Sequence, residues 1–123
     1  MLEHVETPTP EYLALERAVM ERITQSKNLL ASGVAAQYAV ATIGRRELSG
    51  TGFFSNFIVP AIVAKIAPPD VEISDGAVLS NGQSVGFTLF VREGHIAWLE
   101  GYTYGDEAWP ERPEIREWEV SPE

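Results

Sequence analysis

The chain has 123 residues, a formal net charge of −9 and no cysteine, and 45% of its residues are hydrophobic. These values indicate one globular domain over 1–123. They exclude disulfides and thiolate metal sites, and they argue against nucleic-acid or membrane-surface partners, which a negative field repels. No apolar run approaches the ~20 residues that cross a bilayer, and the acidic N-terminus does not read as a signal peptide, so we expect a cytoplasmic protein.

The N-terminal segment predicts a flexible arm over 1–9, followed by a helix over 10–25. Thr9 is a typical N-cap, and Pro10 suits the first helical position because its missing N–H would be unpaired there in any case. Four apolar residues then recur at helical spacing and form one stripe: Tyr12, Leu15, Val19 and Ile23. Such a stripe predicts an amphipathic helix with one buried face.

After this helix the pattern favours strands. Residues 37–43 and 53–59 flank the turn residues 49–52 and predict a β-hairpin. An Asn-Gly pair at 81–82 tolerates the positive φ angles of a tight turn and continues the pattern. The sequence therefore predicts an α+β fold, with the N-terminal amphipathic helix packed on an antiparallel meander of about five strands.

The segment 84–104 predicts the clearest hairpin, closed by a two-residue loop at Glu93-Gly94. This register places Val91 opposite Ile96, Leu89 opposite Trp98, Phe87 opposite Glu100 and Val85 opposite Tyr102. Glu100 then points to an apolar face and is a candidate buried carboxylate. Such a group serves as an acid or base. The alternatives are that it pairs with Arg45 or Arg46, or that it lies at the sheet rim in water; a bulge at the turn would change these pairings.

The C-terminal quarter combines acidity with aromatic residues. Residues 93–123 hold nine acids and two bases, which gives −7 of the net −9, and the segment 105–123 is an acidic, proline-containing tail. Aromatic anchors bordered by charge are typical of protein-binding surfaces. The candidate partner-binding residues are Tyr102, Tyr104, Asp106, Glu107, Trp109, Glu111 and Trp118. The alternatives are that the rings close the core and that the acidity serves solubility. Alternation over 115–120 also predicts a short edge strand.

No pattern in the chain predicts catalysis or a bound cofactor. His4 and His95 are too far apart in sequence to suggest a metal site, which needs several ligands at set spacing. The serines lack the context of an activated nucleophile, and Gly50-Thr51-Gly52 lacks the lysine and the helix of a phosphate loop. We therefore predict no catalytic residues, no metal and no cofactor.

Three stretches of the sheet region resemble a family of small uncharacterised bacterial proteins. They are 44–54 (GRRELSGTGFF), 86–94 (GFTLFVREG) and 99–104 (LEGYTY), followed by Trp109-Pro110. The resemblance covers roughly 44–110 and implies no particular activity. By size and charge alone, the chain is also similar in type to immunity proteins that neutralise bacterial toxins.

Three functional hypotheses follow from the sequence. The first is a non-catalytic immunity-type inhibitor that occludes a basic partner, such as a secreted toxin domain, with its acidic and aromatic C-terminal quarter. The second is a small-molecule-binding or catalytic domain with a cleft between helix and sheet that uses Glu100 and an arginine. The third is a structural subunit that forms a homodimer through a second apolar face of the sheet.

Overall fold

A computed structural model describes residues 3–4, 9–105 and 107–119, with the backbone alone at 3–4. Its elements in chain order are β1 (Glu3–His4), α1 (Pro10–Thr24), α2 (Ala31–Tyr38), β2 (Thr42–Ser49), β3 (Gly52–Ile58), β4 (Val71–Leu79), β5 (Ser84–Arg92), β6 (His95–Thr103) and β7 (Ile115–Trp118). Every strand belongs to one antiparallel sheet. The predicted α+β class, with the N-terminal helix packed on an antiparallel sheet, is confirmed. Neither described helix has the length and apolarity needed to cross a membrane.

Helix α1 follows its sequence signals closely. The side chain of the N-cap Thr9 accepts a hydrogen bond from the backbone N–H of Tyr12 at 3.2 Å, and Pro10 occupies the first helical position. The four residues of the predicted stripe are buried in the core, together with Met20. An amphipathic face thus holds the helix against the sheet.

Helix α2 and the turn after it replace the beginning of a predicted strand, so the strand prediction is wrong at residues 37–41. Ala31, Val34 and Gln37 recur every three residues and are all buried, which is the spacing of a helical face. The amide of Gln37 donates to the carbonyls of Ala64 and Gly94 at 2.9 Å each, and it accepts from the N–H of Ile96 at 2.8 Å. These long-range contacts favour the helix over the local strand propensity.

The sheet contains the five predicted long strands and two short ones at its edges, in the order β1-β2-β3-β6-β5-β4-β7. Strands β4, β5 and β6 form a meander and β2–β3 a hairpin, but β3 pairs with β6 rather than with β4. The predicted edge strand is present as β7. Part of the predicted arm, Glu3–His4, pairs with β2, and the rest of 1–8 lies outside the described residues.

One β-bulge decides which face of the sheet each β6 side chain occupies. The two-residue turn predicted at Glu93-Gly94 is present, with positive φ angles at both residues, and Val91 pairs with Ile96 as predicted. Ala97 is then an extra residue, so that Phe90 pairs with Trp98 and Thr88 with Glu100. The pairings predicted for Leu89, Phe87 and Val85 are therefore wrong, because a one-residue shift moves every later side chain to the opposite face.

The two faces of the sheet have different surroundings. The helix face carries the core, in which the β5 side chains Val85, Phe87, Leu89 and Val91 are fully buried. The opposite face is called the open face here. It carries Arg45, Glu47, Phe54, Asn56, Ile58, Glu72, Ser74, Thr88, Phe90, Arg92, Trp98, Glu100, Tyr102 and, at the end of β6, Tyr104.

Candidate protein-binding surfaces

The aromatic residues predicted for partner binding separate into two groups. Trp109 and Trp118 are partly buried and pack against the core on the helix face. Their rings make edge contacts with Phe53 and Phe87, at centroid distances of 5.5 and 6.1 Å. These two tryptophans close the margins of the core, and their contacts stabilise the fold.

Tyr102 and Tyr104 lie instead on the open face. The ring of Tyr102 lies against Gly86, where an added Cβ would come within 2.5 Å of the ring carbons, so this packing requires glycine. Its hydroxyl lies 3.3 Å from Oγ1 of Thr88. Tyr104 packs edge-on against Tyr102 at 5.9 Å and is half exposed. Partial burial, with smaller contributions from Tyr102 and Glu119, raises the pKa of Tyr104.

The acidic C-terminal segment exposes its charge to solvent. Five carboxylates of the described part are exposed: Glu107, Glu111, Glu114, Glu117 and Glu119. Four ion pairs form among the described residues, and they join Arg22 to Asp75, Arg45 to Glu47, Arg46 to Glu16 and Arg92 to Glu72. Within 107–119, therefore, no carboxylate is paired with a described cation. Asp106 lies outside the described residues.

Glu100 does not occupy the position that the sequence predicts. The bulge places it on the open face, partly exposed, between Phe54 of β3 and Thr88 of β5. Its Oε2 accepts a hydrogen bond from the indole Nε1 of Trp98 at 2.8 Å. Arg45 and Arg46 pair with Glu47 and Glu16 instead. The expectation of an apolar, core-facing Glu100 is therefore wrong.

Three rings form a row across the centre of the open face. Trp98 stacks between Phe90 and Phe54, with centroid distances of 4.5 and 6.1 Å and interplanar angles of 17° and 28°. The guanidinium of Arg92 lies 5.3 Å from the Phe90 ring and 5.6 Å from the Trp98 ring, and it pairs with Glu72 at 2.7 Å. Stacking, the Glu100 hydrogen bond and the ion pair together fix the positions of these rings.

Beside this row, an open groove of about 500 Å³ runs along β2, β3 and β6. Glu47 and Glu100 lie at its sides, and Phe54 and Tyr102 form its aromatic walls. No group of three or more metal-ligating side chains lies within it or elsewhere among the described residues. Arg45 also lines the groove and pairs with Glu47, so the carboxylate of Glu100 beside the aromatic walls is the part of the lining that suits a cationic group.

The most buried carboxylate of the described residues belongs to Glu16 of α1. Arg46 donates two hydrogen bonds to it, at 3.0 and 2.8 Å, and the Ser55 hydroxyl donates a third. The hydroxyl of Tyr12 lies 3.1 Å from that of Ser55. Burial is the main reason that the pKa of Tyr12 is raised to about 12, and the nearby Glu16 adds to the effect.

This cluster of Tyr12, Glu16, Arg46 and Ser55 serves the packing of α1 on the sheet. Ser55 is fully buried, so a substrate cannot reach its hydroxyl. Every buried polar side-chain atom of the described residues has a hydrogen-bond partner, as a stable interior requires. The sequence contains one sign of this cluster: the charged residue Glu16 lies four positions after Tyr12 and therefore on the buried side of α1.

Comparison with protein-family models, with curated proteins and with solved structures yields no match to this chain. The geometry of the two faces is therefore the basis for a functional proposal.

Proposed function

We propose that the chain is a non-catalytic binding protein that neutralises a basic protein, as an immunity-type inhibitor does when it occludes a toxin domain. The observation that carries the proposal is the segment 107–119, which exposes five carboxylates with only Arg112 and Arg116 to oppose them. Its charge is not compensated by ion pairs among the described residues. A basic partner would meet this field first.

The expected role of the segment is electrostatic steering. Attraction between opposite charges raises the association rate constant, and salt screens the attraction over ~8 Å at physiological ionic strength. Loop 107–114 and strand β7 hold the carboxylates outside the core, so they can interact with a partner without changing the fold.

The polar clusters support a binding role over a catalytic one. The Glu16 cluster is mostly buried and its polar atoms are hydrogen-bonded, and one oxygen of Glu100 is occupied by the Trp98 indole. Neither cluster pairs an accessible nucleophile with a base, as covalent catalysis requires. The hypothesis of a helix–sheet cleft that uses Glu100 loses its support, because Glu100 lies on the other side of the sheet from the helices.

The test is stopped-flow association with the purified basic domain encoded next to this chain's gene. Reversal of Glu107 and Glu111 to Lys should slow association at low salt by about tenfold or more, and high salt should remove the difference. The matched control reverses the exposed residues Glu21 on α1 and Glu93 at the β5–β6 turn, which changes the net charge equally at surfaces away from 107–119. Its effect on the association rate should be clearly smaller.

Three results would contradict the proposal. The first is a neighbouring gene that encodes no basic, exported domain. The second is a domain that retains full toxicity in the presence of stoichiometric chain. The third is an association rate that responds neither to salt nor to the reversals, because the acidic segment would then serve solubility alone.

A further inference from the structure

We infer that the open face of the sheet is the surface that anchors the basic partner, and that Trp109 and Trp118 are not part of the contact. The identity of the partner rests on the proposed function. The inference adds the surface, its anchors and the chemistry of the partner segment, which presents apolar side chains flanked by Lys or Arg.

The centre of the open face has the composition of an interface core. Five aromatic rings lie on it: Phe54, Phe90, Trp98, Tyr102 and Tyr104. Tyrosine, tryptophan and arginine dominate the binding energy of protein interfaces. Because stacking and the hydrogen bond to Glu100 already hold Trp98 in place, binding would cost little side-chain entropy.

The contacts of these rings are with one another and with side chains of neighbouring strands. Both helices bury their apolar residues on the other face. The open face also carries two of the most exposed large apolar side chains among the described residues, Ile58 at 55% and Tyr104 at 50%. Apolar surface of this kind, bordered by charge, is typical of a protein-binding site.

Carboxylates border the rings at the centre of the open face and along one margin. Glu100 lies on the central strand β6, and Glu72 and Glu117 lie on β4 and β7. At the β2 margin, Glu47 is largely covered and pairs with the more exposed Arg45. The carboxylate of Glu119 adjoins Gly76 on the same face. Five carboxylates against the two guanidinium groups of Arg45 and Arg92 leave a formal charge of −3.

This charge selects a basic occupant over a second copy of the chain. Two such faces brought together would place like charges opposite each other, which costs several kcal/mol, whereas a basic partner would find complementary charge at Glu100 and along the β4–β7 margin. The area of the open face is also large enough for a stable protein–protein complex. Five strands ~4.8 Å apart, with about eight residues each at ~3.3 Å, cover about 600 Å², close to the ~800 Å² that each partner of a stable complex contributes.

The three tryptophans provide a direct test on the unmodified protein. Each gives one indole N–H signal in a ¹⁵N–¹H correlation spectrum, and single Trp→Phe variants assign them. On addition of the neighbouring basic domain, the Trp98 signal should shift or broaden, and the signals of Trp109 and Trp118 should change clearly less. A short peptide of alternating arginine and leucine is the second probe, and it should perturb Trp98 in the same way at higher concentration.

The two probes separate the inference from the proposed function. Perturbation of Trp109 or Trp118 by the bound domain, with Trp98 unchanged, would overturn the inference and leave the function standing. A domain that does not bind, with a peptide that still perturbs Trp98, would refute the function and support the face as a site for cationic, apolar segments. If both probes leave Trp98 unchanged, the inference fails. It also fails if the free chain dimerises and Tyr104→Ala abolishes the dimer, because the occupant would then be a second copy.

Discussion

Arg45 and Arg46 are consecutive residues of β2 whose side chains lie on opposite faces of the sheet, and each pairs with a glutamate. The Arg46–Glu16 pair is enclosed beneath α1, with side-chain exposures of 17% and 6%. In the Arg45–Glu47 pair on the open face, the arginine is 58% exposed. The same type of ion pair is thus mostly buried on the helix face and open to solvent on the open face.

The phenylalanines of β5 show the same contrast. Phe87 is fully buried among core side chains on the helix face. Phe90 lies three residues later on the open face, where it stacks on Trp98 and remains partly exposed. One sheet therefore uses aromatic residues both to build a core and to present a surface.

The largest difference between the two faces is expected for the arginine pair. Arg46→Met leaves the Glu16 carboxylate buried without its cation, so the free energy of unfolding should fall by about 3–5 kcal/mol. Arg45→Met breaks an exposed pair and should cost less than about 1 kcal/mol. Urea denaturation of both variants measures the difference. Equal losses would show that burial does not distinguish the two pairs.

A truncation on each side of β5 gives the next largest difference. Leu89→Ala leaves a cavity in the core and should lower the free energy of unfolding by roughly 3 kcal/mol. Phe90→Ala removes a stacked but partly exposed ring, and it should cost about 1 kcal/mol. The same denaturation experiment applies. A larger loss for Phe90→Ala would mean that the open face contributes more to stability than the core beneath it.

Alkaline pH should destabilise the helix face through Tyr12. The pKa of this phenol is raised from 10.0 to about 12 in the folded protein. Below pH 10 the phenol is neutral in both states, so stability does not depend on its ionisation. Between pH 10 and 12 it ionises in the unfolded chain first, and the free energy of unfolding should fall by up to about 1.4 kcal/mol per pH unit.

The control for this pH effect is Tyr12→Phe, whose stability should decline less steeply over the same range. Tyr38, whose pKa is also raised mainly by burial, contributes in the same direction and remains in the variant. Identical slopes for the two proteins would contradict the role of Tyr12.

The smallest effect is expected at Glu100. Glu100→Gln keeps an oxygen that accepts the Trp98 N–H, so the free energy of unfolding should change by less than about 1 kcal/mol. Glu16→Gln, by contrast, removes the charge that pairs with a mostly buried Arg46 and should cost clearly more. A comparison of the two denaturation curves shows which of the two carboxylates contributes more to the free energy of unfolding. A larger loss at Glu100 would indicate a core-facing side chain.

Local patterns predicted much of the fold. The cap at Thr9, the stripe of α1, the turn at Glu93-Gly94 and the edge strand β7 each have a signature within a few residues. These signals were sufficient for the α+β class, because helix and strand periodicities differ clearly.

The open face was predicted only in part, because one bulge controls it. Nothing local marks Ala97 as an extra residue, and its insertion reverses the faces of Trp98, Glu100 and Tyr102 relative to the simple hairpin. The Glu16 cluster was missed for a related reason. Its partners Arg46 and Ser55 come from β2 and β3, and only the tertiary fold brings them to the helix.

We propose that the helix face maintains the fold and that the open face holds the partner. The most direct test is the dissociation rate constant of Tyr104→Ala from the neighbouring basic domain, measured beside its free energy of unfolding. Because Tyr104 is a half-exposed ring of the open face, dissociation should become about tenfold faster or more, while stability stays within about 0.5 kcal/mol of the wild type. An unchanged dissociation rate, with stability also unchanged, would contradict the claim.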